Sequence, residues 1–286
     1  MKKILTIALS LFYSSSFAQE ARLKLWYKTP SGDTWENALP VGNGRLGAMV
    51  FGNVEKETIQ LNEHTVWSGS PNRNDNPLAL ESLPEIRKLI FEGKQKEAEQ
   101  LANKTIITKK SHGQMFEPVG NLNLAFEGHE NFTNYYRELD LERAVAKTSY
   151  MVGGVTYTRE VLASFPDRVI VIRLTADKPR SISFTASYST PQPKVVVQTT
   201  AAKELTIAGT TIDHEGVDGK VEFKGITRIK TEGGSLSQND TSLMVTKANA
   251  ATIYVSIASN FNSYSDISGD ENQRAASYTT AAYSKS

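Results

Sequence analysis

The sequence predicts a mostly β protein, a large β-sandwich with a short helical hairpin inserted among its strands. Three observations carry that prediction. Beyond the N-terminal leader most apolar residues alternate with polar ones, the period-two pattern of strands with one buried and one wet face. Turn signals such as Asp177-Lys178-Pro179, Asp218-Gly219 and Gly233-Gly234 separate many short strand-like runs, as in sandwiches. One stretch, Pro84 to Ala102, instead spaces its apolar residues Ile86, Leu89, Ile90, Ala98 and Leu101 at helical intervals. The chain has 286 residues, 39% of them hydrophobic, with 32 basic against 31 acidic side chains. That composition belongs to a globular protein of one large or two modest domains, neither disordered nor collagen-like.

The elements follow in order. Lys2 and Lys3, the apolar run Ile4 to Phe12 and the small-residue site Ser16-Phe17-Ala18 read as a signal peptide over 1–18, so the mature chain is expected to start near Gln19. No lipid-attachable cysteine and no later run of eighteen apolar residues follow, which predicts a periplasmic or secreted protein without a membrane anchor. The sandwich is expected over 19–268. Within it, Gly42-Asn43-Gly44-Arg45-Leu46-Gly47 matches the dinucleotide fingerprint. The following Ala48-Met49-Val50-Phe51 is a β-type run and no helix opens there, so we read a tight turn between strands. In the helical stretch Gly93 divides two short helices, Ser82 to Glu85 offers a capping box, and the hairpin is expected to cover one face of a sheet. Lys147 to Phe165 is a strand hairpin turning on Gly153-Gly154, because both central residues of such a turn favour positive φ. Runs at Val169 to Leu174, Ile182 to Tyr188, Leu205 to Ala208, Val221 to Thr231, Ser242 to Thr246 and Thr252 to Ala258 continue the strands. Residues 269–286 are expected to begin a linker, with Arg274 to Tyr283 able to start a helix.

Composition also excludes chemistries. With no cysteine there is no disulfide scaffold, thiolate zinc site, iron–sulfur cluster or cysteine nucleophile. His64, His112, His129 and His214 are isolated, so no metal and no other cofactor is expected. Balanced charge argues against nucleic acid as a partner, and no G-x-S-x-G elbow is present. Carboxylates are the catalytic groups in good supply. Glu57, Glu63, Glu117, Glu127 and Asp167 could each serve a glycoside hydrolase, which needs two; each is expected to be solvated or salt-bridged at the surface instead. Three loop strings combine aromatic, amide and acid groups, as a sugar's C–H faces and hydroxyls require: Trp35 to Asn43, Gln60 to Pro71 and Gln114 to Leu122. The plainer expectation is that Trp35 and Trp67 plug the sandwich ends while Asn43 and Asn62 satisfy turn backbone.

These strings belong to longer ones. LKLWYKTPSGDTWENALPVGNGRLGAMVFGNVEKETIQLNEHTVWSGSP, LPEIRKLIFEGKQKEAEQLANK, FEPVGNLNL and YYRELDLERAVAKTSYMVGGVTYTREVLASFPDRVIVIRL together resemble the amino-terminal domain of family 95 glycoside hydrolases, the α-L-fucosidases and related α-L-galactosidases. The resemblance runs from about Leu23 to the end, where FNSYSDISGD looks like the exit of that domain. It implies a β-supersandwich that precedes a linker and an α/α toroid in the full-length family. It also implies inverting hydrolysis of terminal α-L-fucosyl linkages, with the glutamate acid and the water-positioning aspartate and asparagines all in the toroid. None of those residues maps onto this chain, so no catalytic residue is expected here and the chain alone is expected to be inactive. The implied partners are a fucosylated oligosaccharide or glycan and the missing catalytic toroid, against which an exposed apolar patch is expected. Trp67, Gln114 and Glu117 are the candidates for lining the substrate cleft. The alternative is a free-standing carbohydrate-binding or structural sandwich module.

Overall fold

The computed structural model describes residues 23–108 and 113–285. The expected signal peptide and His112 lie outside the described residues. Two antiparallel sheets face each other. Strand β1 (Lys24–Tyr27) is followed by a single 3-10 turn at Trp35–Asn37 and then by β2 (Leu39–Gly42), β3 (Leu46–Val50) and β4 (Lys56–Glu63). The G-x-G-x-x-G string is the tight turn from β2 into β3. Asn43 closes it, its Oδ1 accepting from the backbone N–H of Arg45 and Leu46 at 3.0 and 2.7 Å.

Helices α1 (Ala79–Phe91) and α2 (Gln95–Thr105) come next. Gly93, at φ +73°, ends α1: its N–H donates to Ile90 O, and that of Lys94 to Leu89 O. This is the Schellman arrangement, which needs a left-handed residue that glycine supplies without strain. The helix starts earlier than the capping-box reading placed it. Asn76 opens it instead, accepting the Leu78 N–H on Oδ1, while its Nδ2 donates to Ile107 O beyond α2, so one side chain ties both ends of the hairpin. Ser82 lies inside the helix and donates back to Leu78 O. The expectation that this hairpin covers a sheet face is corrected too: the two helices pack chiefly on each other, with Ile86 and Ala98 buried between them and Leu80, Ile90 and Phe91 exposed.

The remaining strands are β5 (Gly120–Ala125), β6 (Thr133–Asp140), β7 (Val145–Val152), β8 (Val155–Ser164), β9 (Val169–Ala176), β10 (Ile182–Ser189), β11 (Val195–Thr199), β12 (Leu205–Thr210), β13 (Glu222–Glu232), β14 (Ser235–Gln238), β15 (Ser242–Ala248) and β16 (Ala250–Ser259). The β7–β8 hairpin turns on Gly153 and Gly154 at φ +57° and +73°, as expected. A nine-stranded sheet runs β1-β6-β7-β8-β9-β16-β13-β12-β11 and a seven-stranded one β14-β15-β10-β5-β4-β3-β2. Their inward residues, among them Leu61, Leu122, Leu124, Ile172, Val255 and Ile257, form one continuous core. Strand β16 departs from alternation, with all ten residues buried. Its outer face lies under α3 (Glu271–Tyr283), whose Ala275, Thr279 and Ala282 are buried. Small residues let helix and strand approach closely, and Ser256 donates to Ala275 O at 2.8 Å and meets the Thr279 hydroxyl. Helix α3 therefore does the covering, in residues expected to form a linker. No described helix is long and apolar enough to cross a membrane.

A buried polar cluster joins the two sheets. Glu57 of β4 and Arg159 of β8 are 2% and 3% exposed and pair at 3.2 Å. Arg159 also donates to the carbonyls of Asn53 and Val54 and to the Tyr150 hydroxyl, and its guanidinium lies 3.8 Å from the Phe126 ring centre. Burial pushes the Glu57 carboxyl up, against the pull of Arg159. Beside them His129 is buried against Tyr157 and shares a 3.0 Å hydrogen bond with Tyr150. Burial first, then the Arg159 charge, lowers its pKa below the ordinary 6.5. The unfolded chain therefore takes up this proton first, so the stability involved is complete above about pH 6.5 and drains away as pH falls below it, toward the lowered folded value. Urea midpoints at pH 7.5 and 5.5 should fall further for the natural chain than for His129→Gln; equal falls would sink this assignment.

Candidate functional site

The site is built at one end of the sandwich, where β4 runs into the 64–71 loop. Two main-chain contacts splice this loop to the 113–119 segment: Ser68 N–H donates to Met115 O and Glu117 N–H to Val66 O. Trp67 and Phe116 pair between them, ring centres 5.4 Å apart and edge on. Trp67 is oriented by its own Nε1, which donates to His64 O at 2.8 Å. Ser68 Oγ donates to Gln114 Oε1 at 3.0 Å and accepts the Met115 N–H. Gly69, at φ +72°, leaves the room Gln114 occupies; a Cβ there would meet the Gln114 side chain at 2.3 Å. The N–H of Gly69 then ties the loop to Ile212 O.

The result is a cavity of about 370 Å³ lined by His64, Trp67, Ser68, Asn72, Gln114 and Tyr264, among others. Trp67 remains 44% exposed and Tyr264 89%, so two aromatic faces stand beside hydroxyl and amide groups in one open hollow. Such a hollow can stack a pyranose C–H face and hydrogen-bond its hydroxyls. Among the described residues no carboxylate lines it.

Two of the three residues singled out from sequence, Trp67 and Gln114, meet in this cavity. Glu117 does not line it. It points inward, 3% exposed, and accepts the Ile212 N–H at 3.1 Å; burial raises its pKa, against that hydrogen bond. Of the two tryptophans expected to plug the ends, Trp35 is half exposed and donates to Gln60. Asn43 does satisfy turn backbone. The expectation of surface carboxylates is corrected for three of five, since Glu57, Glu63 and Glu117 are all buried. Each has a partner that the chain brings from elsewhere. Glu63, fully buried at the end of β4, accepts from Thr65 N–H and hydroxyl and faces Arg45 Nε at 3.2 Å and His64 Nδ1 at 3.3 Å. Tyr264 and His64 were missed as wall residues. The only signal for them lay inside FNSYSDISGD and QLNEHTVWSGSP, where nothing local distinguishes a wall from a turn.

Several large apolar side chains are exposed at this end. Trp67, Met115, Phe116, Phe165 and Tyr264 are all exposed, and His64 borders both the Trp67 cavity and the neighbouring cleft that contains Phe165. Among the described residues no group of three or more histidine and acidic side chains is placed to hold a metal ion.

Residues 25–264 match the family described as glycosyl hydrolase family 65, N-terminal domain. The chain is 36% identical to Alpha-L-fucosidase 2 of Arabidopsis thaliana over 265 residues, covering 84% of this chain and 30% of that protein. It is 32% identical over 158 residues to Probable alpha-fucosidase A of Aspergillus oryzae, covering 52% of this chain and 21% of the relative. The chain thus spans less than a third of either relative's length. Among solved structures, the Putative kojibiose phosphorylase from human microbiome superposes with a TM-score of 0.52 at 10% identity, over 92% of this chain and 35% of that one, a likeness of fold. Because the family match over residues 25–264 takes in both sheets almost from end to end, the chain belongs to the glycosyl hydrolase family 65 N-terminal domain family.

Proposed function

We propose that this chain is the amino-terminal sandwich of an exported α-L-fucosidase of the family 95 type, and that its aromatic end is one wall of the glycan site. The observation that carries the reading is the 36% identity to an α-L-fucosidase along 265 residues. The family 95 strings noted above support the finer assignment, and the leader-like N terminus supports export to the periplasm or medium. In the proposed division of labour the acid and base of hydrolysis belong to a helical toroid outside this chain. The Trp67 cavity, with an indole, amides and no described carboxylate, then binds sugar without cleaving it. The exposed Met115 and Phe116 beside it belong to the surface that meets the toroid.

The purified chain, incubated with a 2'-fucosylated oligosaccharide, should release no fucose above the buffer blank while binding the oligosaccharide in a titration. Turnover that survives repurification would overturn the division of labour. Absence of binding would remove the wall.

A further inference from the structure

Beside the Trp67 cavity, across His64, lies a second cleft of about 420 Å³ where the 43–45 turn meets the 165–168 turn. We infer that this cleft receives an acidic group carried by a saccharide, a carboxylate or a sulfate ester. The inference rests on the glycan-wall reading above and specifies what the glycan bears.

Arg45, His64 and Arg168 line the cleft with Asn43, Phe165 and backbone, and no carboxylate is among the described lining residues. Two acids that adjoin lining residues in sequence, Glu63 and Asp167, are already engaged. Glu63 is buried beneath the floor, and Asp167 is held by Ser164 Oγ and by Lys285. Arg45 and Arg168 carry two positive charges against the single negative charge of Glu63, which suits a monoanion. The two guanidiniums are set against the same ring, their carbons 5.9 and 5.0 Å from the centre of Tyr278 on α3. Arg45 lies beside Glu63, its Nε 3.2 Å from a carboxylate oxygen, and Arg168 gives one Nη to the Tyr278 hydroxyl at 2.7 Å. A guanidinium has five N–H donors, so these contacts orient each group and use a fraction of its capacity. Oxyanions are bound by such forks in bidentate fashion.

The neighbouring surface argues for a sugar acid over a bare ion. Phe165 is 76% exposed on the cleft rim, an apolar ring that a sulfate or phosphate ion has no use for and a pyranose face does. His64 also joins the cleft to the Trp67 cavity, so neighbouring sugars of one chain can occupy both.

The test is an NMR titration of the whole chain at low salt with galactose 6-sulfate and glucuronate, against galactose, glucose and inorganic sulfate, and separately with a neutral 2'-fucosylated oligosaccharide. The acidic sugars should bind at least about tenfold more tightly than the neutral ones, and the difference should shrink at ~0.5 M salt. Arg168→Gln should abolish the preference, while Arg168→Lys, which keeps the charge, should retain part of it, a recovery that mere misfolding would not produce. Equal affinity for acidic and neutral sugars, or indifference to Arg168→Gln, would overturn the inference. So would inorganic sulfate binding as tightly as galactose 6-sulfate. If the neutral fucosylated sugar binds through Trp67 and the acidic preference is absent, this inference fails and the glycan wall stands. If an Arg168-dependent acidic preference appears without fucoside binding, the wall fails and the anion cleft stands.

Discussion

Arg159→Leu should lower the free energy of unfolding by about 3–5 kcal/mol, the usual consequence of removing one partner of a buried ion pair. Glu57, at 2% exposure, would be left inside the sandwich with the Gly52 N–H as its remaining donor from outside its own strand. The carbonyls of Asn53 and Val54, which now receive Arg159 N–H groups, would lose those donors as well. Because Glu57 and Arg159 belong to different sheets, the loss is felt where the two layers are joined. The double replacement Glu57→Leu with Arg159→Leu should recover part of the loss, since no uncompensated charge then remains. Urea unfolding measures both. A single replacement that costs under about 1 kcal/mol, or a double one worse than the sum of its singles, would show that the pair does not hold the layers as described.

Trp67→Ala should weaken binding of a 2'-fucosylated oligosaccharide at least about thirtyfold, equivalent to ~2 kcal/mol, the size expected for a central aromatic anchor. The indole is already set for that role. Its Nε1 is bonded to His64 O and its edge meets Phe116, so little rotational freedom remains to be lost when a sugar stacks on it. Trp67→Phe should keep part of the affinity by keeping a ring. Trp35→Ala provides the control, because Trp35 is as exposed as Trp67 but does not line the cavity; its loss should leave affinity unchanged. Equal effects of the two alanine variants, or none from Trp67→Ala, would mean that the cavity is not where the glycan sits.

The β7–β8 hairpin, the turn at Asn43 and the helices around Gly93 were legible in sequence because each is decided within a few residues. Alternation, glycine at positive φ and an asparagine that bonds its own turn need no distant partner. The capping-box reading failed for an equally local reason: Asn76, six residues upstream of Ser82, opens the helix and also reaches Ile107. Strand β16 shows the other limit. Its outer face would read as wet were it not for α3, whose packing depends on Ala275 and Thr279 meeting Ser256.

The carboxylates mark the boundary most sharply. Taken one at a time, an acid belongs in water, and that reasoning placed Glu57, Glu63 and Glu117 at the surface. Burial became affordable only because folding delivered Arg159 from 102 residues away, the Ile212 N–H from 95, and Arg45 across the β3–β4 pair.

From the order of its residues alone, the β7–β8 hairpin, the two helices around Gly93, the sandwich class and the kinship with a glycosyl hydrolase amino-terminal domain were already decided. These depend on periodicity and on long unbroken strings, and both survive in one dimension. Which residues form a wall, which acids are hidden and where two arginines share one tyrosine ring were decided only in three dimensions. Those outcomes turn on partners from separate segments, and the energy of each contact exists only once the two sheets and the last helix have closed on one another.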